Sequence, residues 1–337
     1  MALNALLPGL VAISSAVYSA VQGRGLLHRR WLRELERRHQ GQMARDPNGL
    51  ELRIMREGRV LRVSSGSLVG AAELRTETPV RLPPGFFLGP QRSFAGDGLG
   101  TGAWRLDPHF DVRGEPVWWV RAILGDPAVH DRLASLAGAR PPLRVRGGHV
   151  SRPLPGRPVA EFEAALEIVD GLALALRDAA ARTWAARAKR PGLALDAPYR
   201  LVGVMGGVPV RLSWEAGDPE GAVVLDATVP GLVPPDLLVE ARRPGQTPGV
   251  ALLDPVLDRH VVVSGASPER LRTLVCNDAV RGPLLALLHE APGARIEGPR
   301  VRVRSPGPTP DTVLASLDEA VDLATALAGL SPGATVG

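Results

Sequence analysis

The 337-residue chain carries 40 Lys and Arg against 35 Asp and Glu, with 45% apolar and only 4% aromatic residues. That length accommodates two domains, each with its own core, and the single Cys276 excludes an intrachain disulfide framework. Lys189 is the only lysine, and the bias toward Arg, Ala, Gly and Pro is that of a GC-rich genome, so the basic pI is not by itself a nucleic-acid footprint.

The charge is local. Residues 24–62 hold eleven Arg against five acids, a net of +6, while residues 1–23 carry no charged side chain. Because the whole chain is +5, residues 63–337 come to −1. The stretch MALNALLPGLVAISSAVYSAVQG (1–23) approaches the roughly twenty apolar residues that span a bilayer, diluted by Asn4, Pro8, Gly9, Ser14, Ser15 and Ser19. A secretory signal peptide carries a positive n-region, and none precedes this run, although the small residues around Ser19–Ala20 resemble a cleavage site. One reading is a membrane anchor, with everything after residue 23 placed in the cytoplasm by the positive-inside rule. Arg24, Arg29, Arg30, Arg33, Arg37 and Arg38 would then meet anionic headgroups. The other is an Ala-rich helix buried on the domain, with those arginines as its solvated face. The length of the run favours the first, and membrane association is the expectation adopted, with a soluble cytoplasmic protein as the alternative.

Further along, the chain repeats itself at an offset of 147 to 152. EGRVLRV (57–63) matches GGVPVRL (206–212), and LPPGFFL (82–88) matches VPPDLLV (233–239). AVHDRLASL (128–136) matches AVRGPLLAL (279–287), RVRGGHV (144–150) matches RIEGPRV (295–301), and LEIVDGLALAL (166–176) matches LDEAVDLATAL (317–327). Trp31 and Trp184 stand near equivalent starts. The expected organisation is an apolar segment 1–23, a first repeat 24–180, a second repeat 181–330 and a disordered tail 331–337.

Within each repeat a tryptophan-bearing helix leads into short strands with period-two alternation, as in Val210–Trp214. Helices follow at 118–124 and 127–137, and at 268–275 and 279–289. Then come two strands joined by a tight GG or GP turn and a closing helix, 159–177 or 310–328. The first closing helix meets no breaker but Gly171 before Arg190, so it is expected to run on into the leading helix of the second repeat. Strands with segregated helices predict an α+β class with antiparallel sheets, in two tandem, pseudo-two-fold related copies. LDPHFD (106–111) echoes LDPVLD (253–258) as a shared approach to a strand. This D-P/D-x-x-D strand and the L-x-x-L/A-L helix, here Leu253–Asp258 and Ala279–Leu288, resemble uncharacterised proteins of GC-rich bacteria with an apolar N-terminal segment and a duplicated α+β unit. The resemblance implies no activity.

Candidate chemistry is sparse. Asp107, His109 and Asp111 would share one face of an extended strand and could hold a divalent metal. The second repeat offers Asp254, Val256 and Asp258 instead, which lose the imidazole, so a structural Asp at a turn is the better reading. GDGLGTG (96–102) lacks the Lys-Ser/Thr of a phosphate loop. Cys276, with Asn277, Asp278, His260 and His289 in the same copy, shows no spacing that converges on a nucleophile and base. His28, His39, His130 and His149 show no ligand spacing. Trp118 and Trp119 point apart on a helix, so one is core and the other is free to face a groove or partner. No cofactor or metal is expected, and the lack of a stacking platform or reader module argues against nucleic acid. The expected function is a non-catalytic binding or scaffolding protein at the cytoplasmic face of the membrane. Its partners would be membrane lipids through the N-terminal segment and a protein of unknown identity. The alternative is an enzyme with a dispersed site near Asp107 and Asp111.

Overall fold

A computed structural model describes residues 29–46, 49–57, 59–64, 72–78, 81–91, 99, 107–137, 142–154, 159–215, 221–231, 233–247 and 249–330. The segment 1–23, Arg24, the GDGLGTG stretch apart from Leu99, and the tail 331–337 lie outside them. The chain divides into two compact units, Met1–Ala180 and Ala181–Gly337.

In the first unit, helix α1 (29–39) buries Trp31, Leu32 and Leu35 and exposes Arg29, Arg30, Arg33, Arg37 and Arg38, the spacing of an amphipathic helix. Eight strands follow: β1 (Gln42–Asp46), β2 (Gly49–Arg56), β3 (Arg59–Ser64), β4 (Ala72–Glu77), β5 (Phe87–Pro90), β6 (Phe110–Arg113), β7 (Arg144–Arg146) and β8 (His149–Leu154). Helices α2 (Val117–Leu124) and α3 (Pro127–Leu136) lie between β6 and β7, and α4 (Val159–Ala188) closes the unit. The second unit holds β9 (Leu193–Ala197), β10 (Arg200–Met205), β11 (Val208–Glu215), β12 (Ala222–Thr228), β13 (Leu238–Ala241), β14 (Val261–Ser264), β15 (Arg295–Glu297) and β16 (Arg300–Pro306). Its helices are α5 (Leu257–His260), α6 (Pro268–Val275), α7 (Asp278–Glu290), α8 (Asp311–Ala315) and α9 (Leu317–Gly329).

The duplication is written in the hydrogen bonds. The first sheet runs β1-β2-β3-β4-β8-β7-β5-β6 and the second β9-β10-β11-β12-β16-β15-β13-β14, strand for strand the same topology and antiparallel throughout. Register agrees as well: Thr76 pairs with Val150 as Ala227 pairs with Val301. So do the caps, since Asp126 accepts from Ala128 N and Asn277 from Ala279 N, both at 3.0 Å. On the outer strands, Leu99 N donates to Val112 O of β6 and Val250 N to Val263 O of β14, so one edge acceptor of each strand is satisfied from outside the sheet.

One face of each sheet is core. Leu52, Ile54, Leu61, Val63, Leu74, Val145 and Val150 form it in the first unit, and Val210, Leu212, Val223, Leu225, Val239, Val301 and Val303 in the second. Helices α8 and α9 cover that face in the second unit. The long α4 runs unbroken as expected. Its first part closes the first unit, where Phe162 meets Trp31 edge-on at 6.2 Å, and its end supplies Trp184 to the second, edge-on to Tyr199 at 5.8 Å.

Three expectations are corrected. Strands β1 and β9 went unread, because QMARD and LALDA show no clean alternation of buried and polar positions. The second closing helix is two, α8 and α9, parted at Ser316. The LDP echo is out of register: β6 starts three residues after Asp107, whereas β14 starts seven after Asp254 with α5 filling the gap. By sheet register Asp111 corresponds to Val262, each opposite the equivalent β5 or β13 residue. Among the described residues no helix is long and apolar enough to cross a membrane.

Candidate functional site

Residues 107–109 form a turn, so Asp107, His109 and Asp111 do not share an extended strand face. Asp111, buried on β6, holds Arg113 at 3.0 Å, and its other oxygen meets no hydrogen-bond partner among the described residues. Asp254 is a helix-capping side chain, accepting from Val256 N (2.9 Å) and Leu257 N (3.1 Å), with Arg281 Nε at 2.8 Å. Cys276 donates to Leu252 O at 3.6 Å, and burial, then the charges of Asp254 and Asp258, push its thiol up. That keeps it protonated and poorly nucleophilic at neutral pH. Trp119 is buried with Nε1 donating to Ala180 O at 3.2 Å, and Trp118 is half-buried, stacked on it at 6.1 Å. Among the described residues no three His, Cys, Asp or Glu gather as a metal site. On α1, Arg37 pairs with Glu34 and Arg38 with Glu163, whereas Arg29, Arg30 and Arg33 are exposed and make no ion pair with a described residue.

The charged chemistry lies on the sheet faces turned away from the helices. Strand alternation puts Arg211, Asp226, Arg302 and Arg295 on that face of the second unit, opposite one another across four strands. Asp226 lies between two arginines, Arg302 then faces Arg295, and carboxylates bridge the row. Asp226, 3% exposed, accepts from Arg211 Nη2 at 2.6 Å and from Arg302 Nε at 2.7 Å. Glu297 then joins Arg302 (3.3 Å) to Arg295 (3.0 Å). Burial pushes the Asp226 carboxyl up, but the bonds from Arg302 and Arg211 outweigh it and hold the group below the ordinary carboxylate value.

The matching row in the first unit reads Arg53, Arg62, Arg75, Ser151, Arg144. Arg75 stands where the second unit has Asp226, and Arg146 where it has Glu297. Three arginines thus face each other directly on adjacent strands, an arrangement that costs about 0.2–1 kcal/mol per like-charged pair. Glu51 takes Arg53 at 2.6 Å and Glu77 takes Arg62 at 3.1 Å from neighbouring rows. Arg75, Arg144 and Arg146 are exposed and have no carboxylate partner among the described residues. Beside them Arg113 lies 6.0 Å from the Phe87 ring centre.

Arg75, Arg144 and Arg146 were missed in the sequence, although a signal was there. The RVLRVS and AELRTE strands each place Arg on the polar parity, and aligning the copies sets Arg75 against Asp226. No family model, curated protein or solved structure matches the chain.

Proposed function

We propose that the protein is a non-catalytic binding or scaffolding protein at the cytoplasmic face of the membrane, whose first unit takes an acidic protein segment on its arginine-bearing sheet face. The observation that carries this reading is the row Arg53–Arg62–Arg75–Ser151–Arg144, in contrast to the carboxylate-bridged row of the second unit. One fold holds both, so the unneutralised version is a departure that the architecture does not require. A face with uncommitted guanidiniums attracts carboxylates and offers bidentate hydrogen bonds. Glu51, Glu73 and Glu77 are interspersed on the same face, a mixed pattern that suits discrete carboxylates and basic groups of a protein better than a continuous run of phosphates.

The membrane part rests on the apolar run 1–23 and on Arg29, Arg30 and Arg33, which follow it and remain unpaired with described residues. The apolar side of α1 is already spent on the core through Trp31, Leu32 and Leu35, so α1 itself contributes only charge. Two measurements test the reading. Cell fractionation with an alkaline carbonate wash, on the full chain and on a version lacking 1–23, is expected to leave only the full chain in the membrane; both in the supernatant would end the membrane part. Fluorescence anisotropy with a labelled poly-glutamate peptide is expected to show binding that competing anionic vesicles and single-stranded DNA displace weakly. Preferential binding of either competitor would replace the protein partner with a membrane or a nucleic acid.

A further inference from the structure

A groove of about 430 Å³ opens in the second unit beside the end of β13, the turn before β15 and the end of β16. Small-molecule sites occupy about 300–1,000 Å³. Three arginines, Arg243, Arg295 and Arg304, and one acid, Glu240, are among its lining residues, and the remaining lining is Gly, Ala and Pro. Glu240 is engaged, accepting from Gln246 Nε2 at 2.5 Å, while Gln246 Oε1 accepts from Arg243 N at 3.0 Å. This clip holds the segment that carries Arg243 at the groove. Arg295 shares Glu297 with Arg302. Arg243 and Arg304 are exposed and make no ion pair with a described residue. Gly293 shapes the wall: a Cβ there would sit 2.5 Å from the Arg304 carbonyl oxygen, so only glycine lets the turn lie this close to β16.

The charged lining differs between the two copies at Glu240 and Arg304. Sheet register sets Glu240 against Gly89 and Arg304 against Pro153, whereas Arg295 keeps its type as Arg144, and Arg243 stands at the sequence place of Arg92, which lies outside the described residues. Three arginines and one acid thus share a concavity of ligand size with a net lining charge of +2, Arg304 being the arginine that the second copy alone carries. Arginine forks match the paired oxygens of phosphate and carboxylate.

We propose that this groove is a binding site for a small dianion, a phosphate monoester or a dicarboxylate, gripped by Arg243 and Arg304 with Arg295 adding to the positive field. It is independent of the first unit's sheet face and stands or falls separately. The test is calorimetric titration of the full chain with inorganic phosphate and, separately, succinate, at ionic strength held constant with sodium chloride. Variants R243A and R304A are compared with R300A, an exposed arginine at the far end of β16. Saturable binding of either anion, weakened at least about tenfold in R243A and R304A and less than about twofold in R300A, is the expected result. Whichever anion binds more tightly identifies the source. If R304A fails to unfold like the parent, R243A carries the test, because Arg243 lies outside every strand. Binding no tighter than to chloride, or an equal loss in R300A, overturns the proposal.

Discussion

Arg59 and Asp170 form a buried two-pronged ion pair that ties β3 to α4, and the residues in their places in the second unit are Val208 and Val321. Arg59 Nη1 donates to Asp170 Oδ1 and Nη2 to Oδ2, with both side chains 7% exposed. In the second copy both positions are buried and apolar. The two solutions show that the fold tolerates either an ion pair or a hydrocarbon contact here, provided both partners change together.

That observation sets a double-mutant cycle. Removing one partner of a buried pair costs about 3–5 kcal/mol, because the other charge is left desolvated, whereas replacing both by apolar residues is often neutral. Arg59→Ala or Asp170→Ala is expected to lower the first unit's stability by about 3 kcal/mol in denaturant unfolding. Arg59→Val with Asp170→Val is expected to come within about 1 kcal/mol of the parent. A double variant as unstable as the sum of the singles would show that the pair contributes more than mutual neutralisation.

Asp226 makes the second unit acid-sensitive. Its folded pKa lies below the ordinary value, so the unfolded chain takes up its proton first as pH falls. The stability it contributes is fully present above the unfolded pKa of about 3.9 and is lost as pH drops through the lower folded value. Asp226→Asn also leaves Arg211 and Arg302 without their carboxylate, and a loss of about 2–3 kcal/mol at pH 7 is expected. The stabilities of the parent and Asp226→Asn should converge as pH falls below the ordinary carboxylate range and through the lower folded value. A constant gap across pH would mean that the side chain acts through shape and not charge.

The fold was largely legible because duplication supplies two readings of each element. RVLRVS alone is ambiguous, but paired with VPVRLS its alternation is confirmed at Leu61 and Val210, and at Val63 and Leu212, all buried. The turns at Gly147–Gly148 and Gly298–Pro299 were visible for the same reason. The charged faces were not. Whether Arg75 opposes a carboxylate or another arginine depends on which residue of β3 and β8 lies across from it, and cross-strand register is fixed by hairpin geometry that periodicity does not report. The LDP echo misled for a related reason: local identity at an offset of 147 competed with a register of 151, and α5 absorbs the four-residue difference.

Writing the second unit's charges into the first should separate binding from folding. Arg75→Asp with Arg146→Glu places carboxylates beside Arg62, Ser151 and Arg144, as Asp226 and Glu297 sit among Arg211, Arg302 and Arg295. Exposed pairs of this kind contribute about 0–1 kcal/mol, so stability is expected to hold or rise slightly. Affinity for the poly-glutamate peptide is expected to fall at least about tenfold, and the remaining binding to lose its steep salt dependence. Unaltered affinity would remove this face as the site.

Cys276 is expected to resist alkylation. With its thiol pushed up by burial and by Asp254 and Asp258, the thiolate population at pH 7.5 is small. Iodoacetamide should label the folded chain at least about tenfold more slowly than the chain in denaturant, as followed by mass spectrometry. Equal rates would contradict the protected environment around Leu252 O.

Leu253 and Tyr199 share a left-handed backbone, φ 62° and 58°, that side chains other than glycine and asparagine rarely adopt. The strain, about 1–2 kcal/mol for an ordinary residue, is offset at only one of them. Tyr199 is 6% exposed and wedged between Trp184 and Trp214, with ring centres 5.8 and 5.1 Å away, so its packing holds the turn. Leu253 is 79% exposed, and its turn is held by other groups: Asp258 accepts from Leu252 N at 2.8 Å, and Arg272 donates to Ala251 O at 2.6 Å. Asparagine relieves the strain at either position, but only Tyr199 has buried contacts to lose. Leu253→Asn is therefore expected to raise stability by about 0.5–1 kcal/mol, and Tyr199→Asn to lower it by about 3 kcal/mol or more, both read from denaturant midpoints. A destabilised Leu253→Asn would mean that the exposed leucine packs against something in solution, and would turn attention to that turn as a contact surface.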